Sequence, residues 1–197
     1  MRPKSASLNC KFKQELKIFS DKDAKWSCHF DDDQYVNVGQ LRRVLDGYQA
    51  RVPMYVGRQS IAGAVHIANE SFRFATGGAG VCISRPLLRM IRPHIDRFPH
   101  LSPNFGGPGR RDVGYLVDKL DVMLTVNTKF HSHLETVMPA NLSEQVSLSP
   151  ALGQTEFLFS PTANHHTLYS LHCFLRPEKC KKMAAKLQAH RTSRPDW

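Results

Sequence analysis

Apolar residues fall along the chain at two alternating periods. Phe12, Leu16 and Phe19 are three to four apart and predict a helix over 12–19. Lys25 to Phe30 reads as a short buried strand. Val38, Leu41, Val44 and Leu45 share one face of an amphipathic helix, with Gly47 as its stop. Met54-Tyr-Val-Gly57 is a short strand ending in glycine. Phe72 to Ser84 carries an aromatic strand end into Gly77-Gly78-Ala79-Gly80 and then into β-branched residues. Pro86 suits the first turn of a helix striped by Leu87, Leu88 and Ile91. His94 to Arg111 is rich in Pro and Gly and reads as a loop. The helix that opens after it, through Leu120, has Asp112 near its start. Leu168 to Leu175 reads as a last strand, and Lys179 to Trp197 as a basic, weakly helical tail. There are no internal repeats. Strands alternating with helices predict the α/β class.

Composition narrows the class. With 197 residues and 41% hydrophobic content, one domain with a proper core is expected. Net charge is +10, compatible with nucleic acid, anionic membrane or phosphorylated small molecules. No zinc-finger, RNA-recognition or basic-zipper pattern accompanies that charge, so no nucleic acid partner is expected. No apolar run is long enough to span a membrane, and the first residues lack the apolar segment of a signal peptide. The five cysteines, Cys10, Cys28, Cys82, Cys173 and Cys180, include no CxxC pair, which disfavours structural zinc. Two pairs and one leftover fit an oxidising compartment. The sequons Asn69-Glu-Ser71 and Asn141-Leu-Ser143 point the same way.

Three landmarks carry candidate chemistry. Asp31-Asp32-Asp33 follows a strand-like segment and places hard oxygen ligands at the lip of a sheet, suited to Mg²⁺ or Mn²⁺ with a phosphate-bearing substrate. A solvated acidic turn is the other reading. The Gly77–Gly80 run lets a backbone approach a ligand closely, or serves as a tight turn where strands crowd. Phe130-His-Ser-His-Leu-Glu135 holds His131 and His133 two apart, so both side chains face one cavity if the segment is extended. Either histidine can equally be a satisfied core or surface residue. Asp112 is placed for catalysis or, as is common for such an Asp, for capping its helix.

Taken in order, these stretches resemble the Fringe glycosyltransferases. The carriers are Trp-Ser-Cys-His-Phe-Asp-Asp-Asp-Gln-Tyr-Val-Asn (26–37), Tyr-Val-Gly (55–57), Phe-Ala-Thr-Gly-Gly-Ala-Gly-Val-Cys-Ile-Ser (74–84), Val-Gly-Tyr (113–115), Phe-His-Ser-His-Leu-Glu (130–135), Glu-Gln-Val-Ser-Leu-Ser (144–149) and Leu-His-Cys (171–173). The resemblance implies a partial GT-A fold over residues 1–180, a mixed sheet flanked by helices, followed by a basic, disordered tail over 181–197. It implies a transferase that moves N-acetylglucosamine from UDP-GlcNAc to the 3-OH of O-linked fucose on EGF repeats of Notch-type receptors. Transfer would invert the anomeric centre and depend on Mn²⁺. Full-length relatives are type II anchored in the Golgi membrane.

Residue by residue, the resemblance assigns Asp33 and His133 to the metal. Asp31 and Asp32 would serve the sugar nucleotide, and Phe74, Thr76, Gly77 and Gly78 would line the donor and acceptor cleft. Cys28 would pair with Cys82, and Cys173 with Cys180. An inverting transfer needs a carboxylate to take the proton of the attacking hydroxyl. The ungapped family positions for it hold Gly109 and Arg110 here; a two-residue deletion would bring Asp112 into register as the base. The family's first nucleotide-binding strands, stem and anchor have no counterpart in this chain, and the family partner of Cys10 lies upstream. The alternative expectation is therefore a non-catalytic remnant that acts as a binding module or cannot fold alone.

Overall fold

The computed structural model describes residues 4–67, 70–97, 110–132, 135, 139–149, 171–173 and 175–182. The first element is helix α1 (Lys4–Ser20), longer than the 12–19 stretch that the periodicity marks. Strands β1 (Trp26–His29) and β2 (Tyr35–Val36) flank the acidic triplet. Helix α2 (Val38–Asp46) is capped by Asn37, whose side-chain oxygen accepts from the Gln40 N–H at 3.3 Å. The expected face of α2 is corrected at its first residue. Val38 is 61% exposed because it sits at the open end of the helix, ahead of buried Gln40 and of Leu41, Val44 and Leu45, which meet the core.

Strands β3 (Tyr55–Gly57), β4 (Val65–Ile67) and β5 (Glu70–Phe72) precede a tight 3-10 turn at Gly77–Ala79 and strand β6 (Val81–Ser84). Helix α3 (Arg85–Ile91) has its proline in the first turn. A 3-10 segment, Arg92–Arg97, follows directly, so the first part of the expected 94–111 loop is helical: buried Ile95 anchors it to the core. Helix α4 (Arg110–Lys119), strand β7 (Leu124–Val126) and strand β8 (Ser147–Leu148) complete the named elements.

Four strands form a mixed sheet in the order β1-β6-β3-β7. β6 is antiparallel to both β1 and β3, whereas β7 runs parallel to β3. Successive side chains of a strand face opposite sides, and the core divides accordingly. Tyr55, Val81 and Ile83 face a cluster with Phe12 and Leu16 of α1, Leu87 and Ile91 of α3, and Val113, Leu116 and Val117 of α4. Val56 and Cys82 face the other cluster, with Leu45 of α2, Ala79, Phe130 and Val146. The expected flanked mixed sheet is what forms. Burying an aliphatic side chain of this kind contributes about 2 kcal/mol.

The expected strand over 168–175 is corrected: 171–173, 175 and 177–182 are helical. The Arg176 N–H donates to the His172 carbonyl at 2.8 Å, a helical i to i−4 bond. Leu171 and Leu175 are four apart, a helical spacing that lets both reach Leu148 and Tyr35. The expected 181–197 tail starts inside this helical stretch, and its residues from 183 on lie outside the described ones.

Candidate active site

The acidic triplet leaves β1 in a turn closed by the Gln34 N–H on the Asp31 carbonyl, at 3.1 Å. Its three carboxylates are not equivalent. Asp31 is half-buried and lies 3.2 Å from Nε2 of His29, whose Nδ1 is 2.6 Å from Oε2 of Glu15 on α1. Phe12 meets the same imidazole edge-on, at 5.3 Å between centroids. The helix α1 thus reaches the acidic turn through one histidine. Asp32 and Asp33 are exposed, and no ion pair engages either among the described residues.

The glycine segment lies directly beneath. Gln34 is buried; its Nε2 donates to the Gly78 carbonyl, while its Oε1 has no hydrogen-bond partner. Gly80 has φ +91°, in the range that favours glycine, and a Cβ there would overlap the Phe30 ring. Phe30 in turn stacks on Phe130, nearly parallel at 6.2 Å. Phe74, Thr76, Gly77 and Gly78 are all buried.

Ser147 on β8 joins the third landmark to the second. Its hydroxyl donates to the Ala79 carbonyl and accepts the His131 N–H at 3.1 Å. His131 itself is buried. Nε2 is 2.8 Å from Gln145 Oε1, and Nδ1 is 3.5 Å from Arg58 Nη1. Arg58 can only donate, so Nδ1 accepts and Nε2 carries the proton. Burial holds this imidazole below its ordinary pKa; the Gln145 bond opposes that and the Arg58 charge adds to it. His131 is therefore a neutral structural member. Arg58 also donates to the Thr128 and Phe130 carbonyls at 3.0 and 3.3 Å, and its Nε pairs with Glu135 Oε1 at 2.9 Å. Glu135 accepts the Ser132 N–H. One guanidinium just beyond β3 thereby shapes the loop of the histidine motif.

Asp112 is 4% exposed, within the first turn of α4 and not preceding it. The helix reaches the glycine segment at Gly114, where a Cβ would overlap Phe74. Phe72 contacts Tyr115 edge-on at 5.5 Å. The base candidate and the cleft candidate Phe74 are therefore joined through one turn of helix. His133 lies outside the described residues, as does Asn69.

Disulfides link Cys28 to Cys82, directly opposite in the β1–β6 ladder, and Cys173 to Cys180. Motif reading passed over Glu15, His29, Gln34, Arg58 and Ser147. The detectable signal was adjacency: His29 and Gln34 flank the triplet, and Arg58 follows the glycine that ends β3. Nothing local marked Glu15, which acts from another element.

Among the described residues, no three His, Cys, Asp or Glu side chains are grouped to hold a metal. One carboxylate and one imidazole, completed by diphosphate oxygens, would not require such a group, and the exposed Asp33 carboxylate suits a hard or borderline cation.

A family model described as Fringe-like matches residues 2–179. The Fringe glycosyltransferase of Drosophila melanogaster is 36% identical over 193 residues, covering 87% of this chain and 47% of that protein. The beta-1,3-N-acetylglucosaminyltransferase manic fringe of Homo sapiens is 34% identical, over 91% of this chain and 64% of its own length. The lunatic fringe enzyme of Danio rerio is 32% identical, over 87% and 52% respectively. The chain spans roughly half to two thirds of these relatives.

Proposed function

The chain belongs to the Fringe-like family, and on that premise we propose that it carries the acceptor- and metal-binding part of a β-1,3-N-acetylglucosaminyltransferase. The donor in this reading is UDP-GlcNAc, and the acceptor is the 3-OH of O-linked fucose on EGF repeats of Notch-type receptors. The fold is read as part of a GT-A domain, and the place of action as the Golgi membrane. One observation carries the reading. The acidic turn, glycine segment and histidine loop are far apart in sequence, yet Gln34, Ser147 and the Phe30–Phe130 stack tie them into one unit.

Within that unit the roles divide by exposure. Asp33, with His133, would hold Mn²⁺, which supplies Lewis-acid neutralisation of the departing diphosphate. Asp31, held by His29, and Asp32 would orient the sugar nucleotide. Phe74, Thr76, Gly77 and Gly78 would line the base of the donor and acceptor cleft. Asp112 would take the proton of the attacking hydroxyl.

The test is transfer of labelled N-acetylglucosamine to an O-fucosylated EGF repeat with Mn²⁺, alongside calorimetry with UDP and Mn²⁺. Asp33→Ala should abolish metal-dependent UDP binding, and Asp112→Asn should lower transfer by at least about a hundredfold while sparing that binding. Absence of both transfer and UDP binding by the wild-type chain would overturn the reading.

A further inference from the structure

The tripeptide Asn141-Leu-Ser143 plays no part in the site, yet the structure arranges it with care. Asn141 and Ser143 are exposed on the outer side of a single helical turn that precedes β8. Leu142 points inward, toward Leu148 and Tyr35. The Asn141 carbonyl oxygen Oδ1 accepts twice from Ser143: from its N–H at 3.2 Å and from its hydroxyl at 2.7 Å. Nδ2 donates to Glu144 Oε1 at 2.7 Å.

That arrangement has chemical meaning. An amide nitrogen is a poor nucleophile because its lone pair is delocalised onto oxygen. Two donors on Oδ1 stabilise negative charge there and acidify the Nδ2 protons. A carboxylate within hydrogen-bond distance of Nδ2 can receive one. The turn is tied from behind, by Asn37 Nδ2 on the Ser143 carbonyl at 3.1 Å, so bulk added at Nδ2 would project outward without disturbing the core. Two disulfides in so small a chain belong to an oxidising compartment, where such tripeptides are modified.

We propose that Asn141 is a site of N-linked glycosylation, receiving its glycan from an oligosaccharide activated as a lipid-linked pyrophosphate. A bond forms between Nδ2 and the anomeric carbon. The bond from that carbon to the pyrophosphate oxygen breaks, the lipid pyrophosphate leaves with the electron pair, and the amide gives up one proton. The glycan stands near Gln145, the partner of His131, and so at the rim of the candidate site. This assignment does not depend on the transferase reading.

The experiment expresses the full chain behind a cleavable signal peptide in eukaryotic cells and reads both the intracellular and secreted pools. Peptide N-glycosidase digestion in heavy-oxygen water marks each formerly glycosylated asparagine for mass spectrometry. The expected result is a labelled Asn141 and a one-glycan mobility shift. That shift is lost in Asn141→Gln and Ser143→Ala and retained in Ser143→Thr and Asn69→Gln. Reading the intracellular pool keeps the result decisive even for a variant that folds poorly. An unlabelled Asn141 in both pools, or a shift that survives Asn141→Gln and disappears with Asn69→Gln, overturns the assignment.

Discussion

The two faces of the central sheet are held together differently. On the face covered by α1, α3 and α4, the contacts are apolar and non-directional: Leu16, Leu87, Ile91 and Val117 are fully buried against Tyr55 and Ile83. On the face covered by α2, apolar packing continues through Val56, Cys82 and Phe130, but the loops above it are also fixed by directional polar bonds. Ser147, Gln34 and His131 each bond across segments distant in sequence, beside the Arg58–Glu135 pair and the backbone bonds from Val146 and Ser147 to the Lys129 carbonyl. Hydrophobic burial stabilises by area and tolerates small shifts. A buried hydrogen bond is modest while formed and expensive once one partner is removed. The first face should therefore govern global stability, and the second should govern the geometry of the site.

Three variants would sharpen or break this contrast. Leu87→Ala, on the apolar face, should cost about 3 kcal/mol in urea denaturation, from lost burial and a residual cavity. Fully folded Leu87→Ala protein should bind UDP and Mn²⁺ as the wild type does; a weakened complex would mean that the faces are coupled. Ser147→Ala leaves the Ala79 carbonyl and the His131 N–H without their partner and should cost about 2 kcal/mol. It should also loosen the histidine loop, seen as faster amide exchange over 129–132 with the α3 amides unchanged. A cost under about 0.5 kcal/mol would remove the distinction between the faces. The smallest effect belongs to His29→Ala, about 1 kcal/mol, because the imidazole is near the surface. Exchange at the Asp31–Gln34 amides should rise roughly fivefold. If Glu15→Gln produced no similar change, α1 would not steer the acidic turn.

Legibility followed the same division. The helical stripe at Leu87, Leu88 and Ile91, the strand at 26–30 and the glycine run were all readable, since each rests on near neighbours in sequence. Over 168–175 the apolar content suggests a strand, yet Leu171 and Leu175 stand four apart, and the described residues 171–173 and 175 are helical. Asp112 was readable as lying near a helix start, yet its burial was not, because that depends on Gly114 meeting Phe74. Arg58 is marked locally only by following the glycine that ends β3; its role comes from the parallel pairing of β7 with β3, which brings the 128–130 carbonyls beside it.

From the chain alone follow the alternation of strands and helices, the acidic, glycine and histidine motifs and the resemblance to one family. All of these are properties of short windows, whose propensity and periodicity do not depend on what lies opposite. The folded arrangement settles the remainder. It makes His131 a neutral structural residue, buries Phe74 and the glycines, gives Asp31 to His29 while leaving Asp32 and Asp33 in solvent, and sets Asn141 outward. The histidine loop and the glycine segment depend on partners 14 or more residues away, joined through burial and directional bonds that no local pattern encodes. Asp31 meets a histidine two residues back that Glu15 holds from another element, and Asn141 has adjacent partners and needed the fold for its exposure alone.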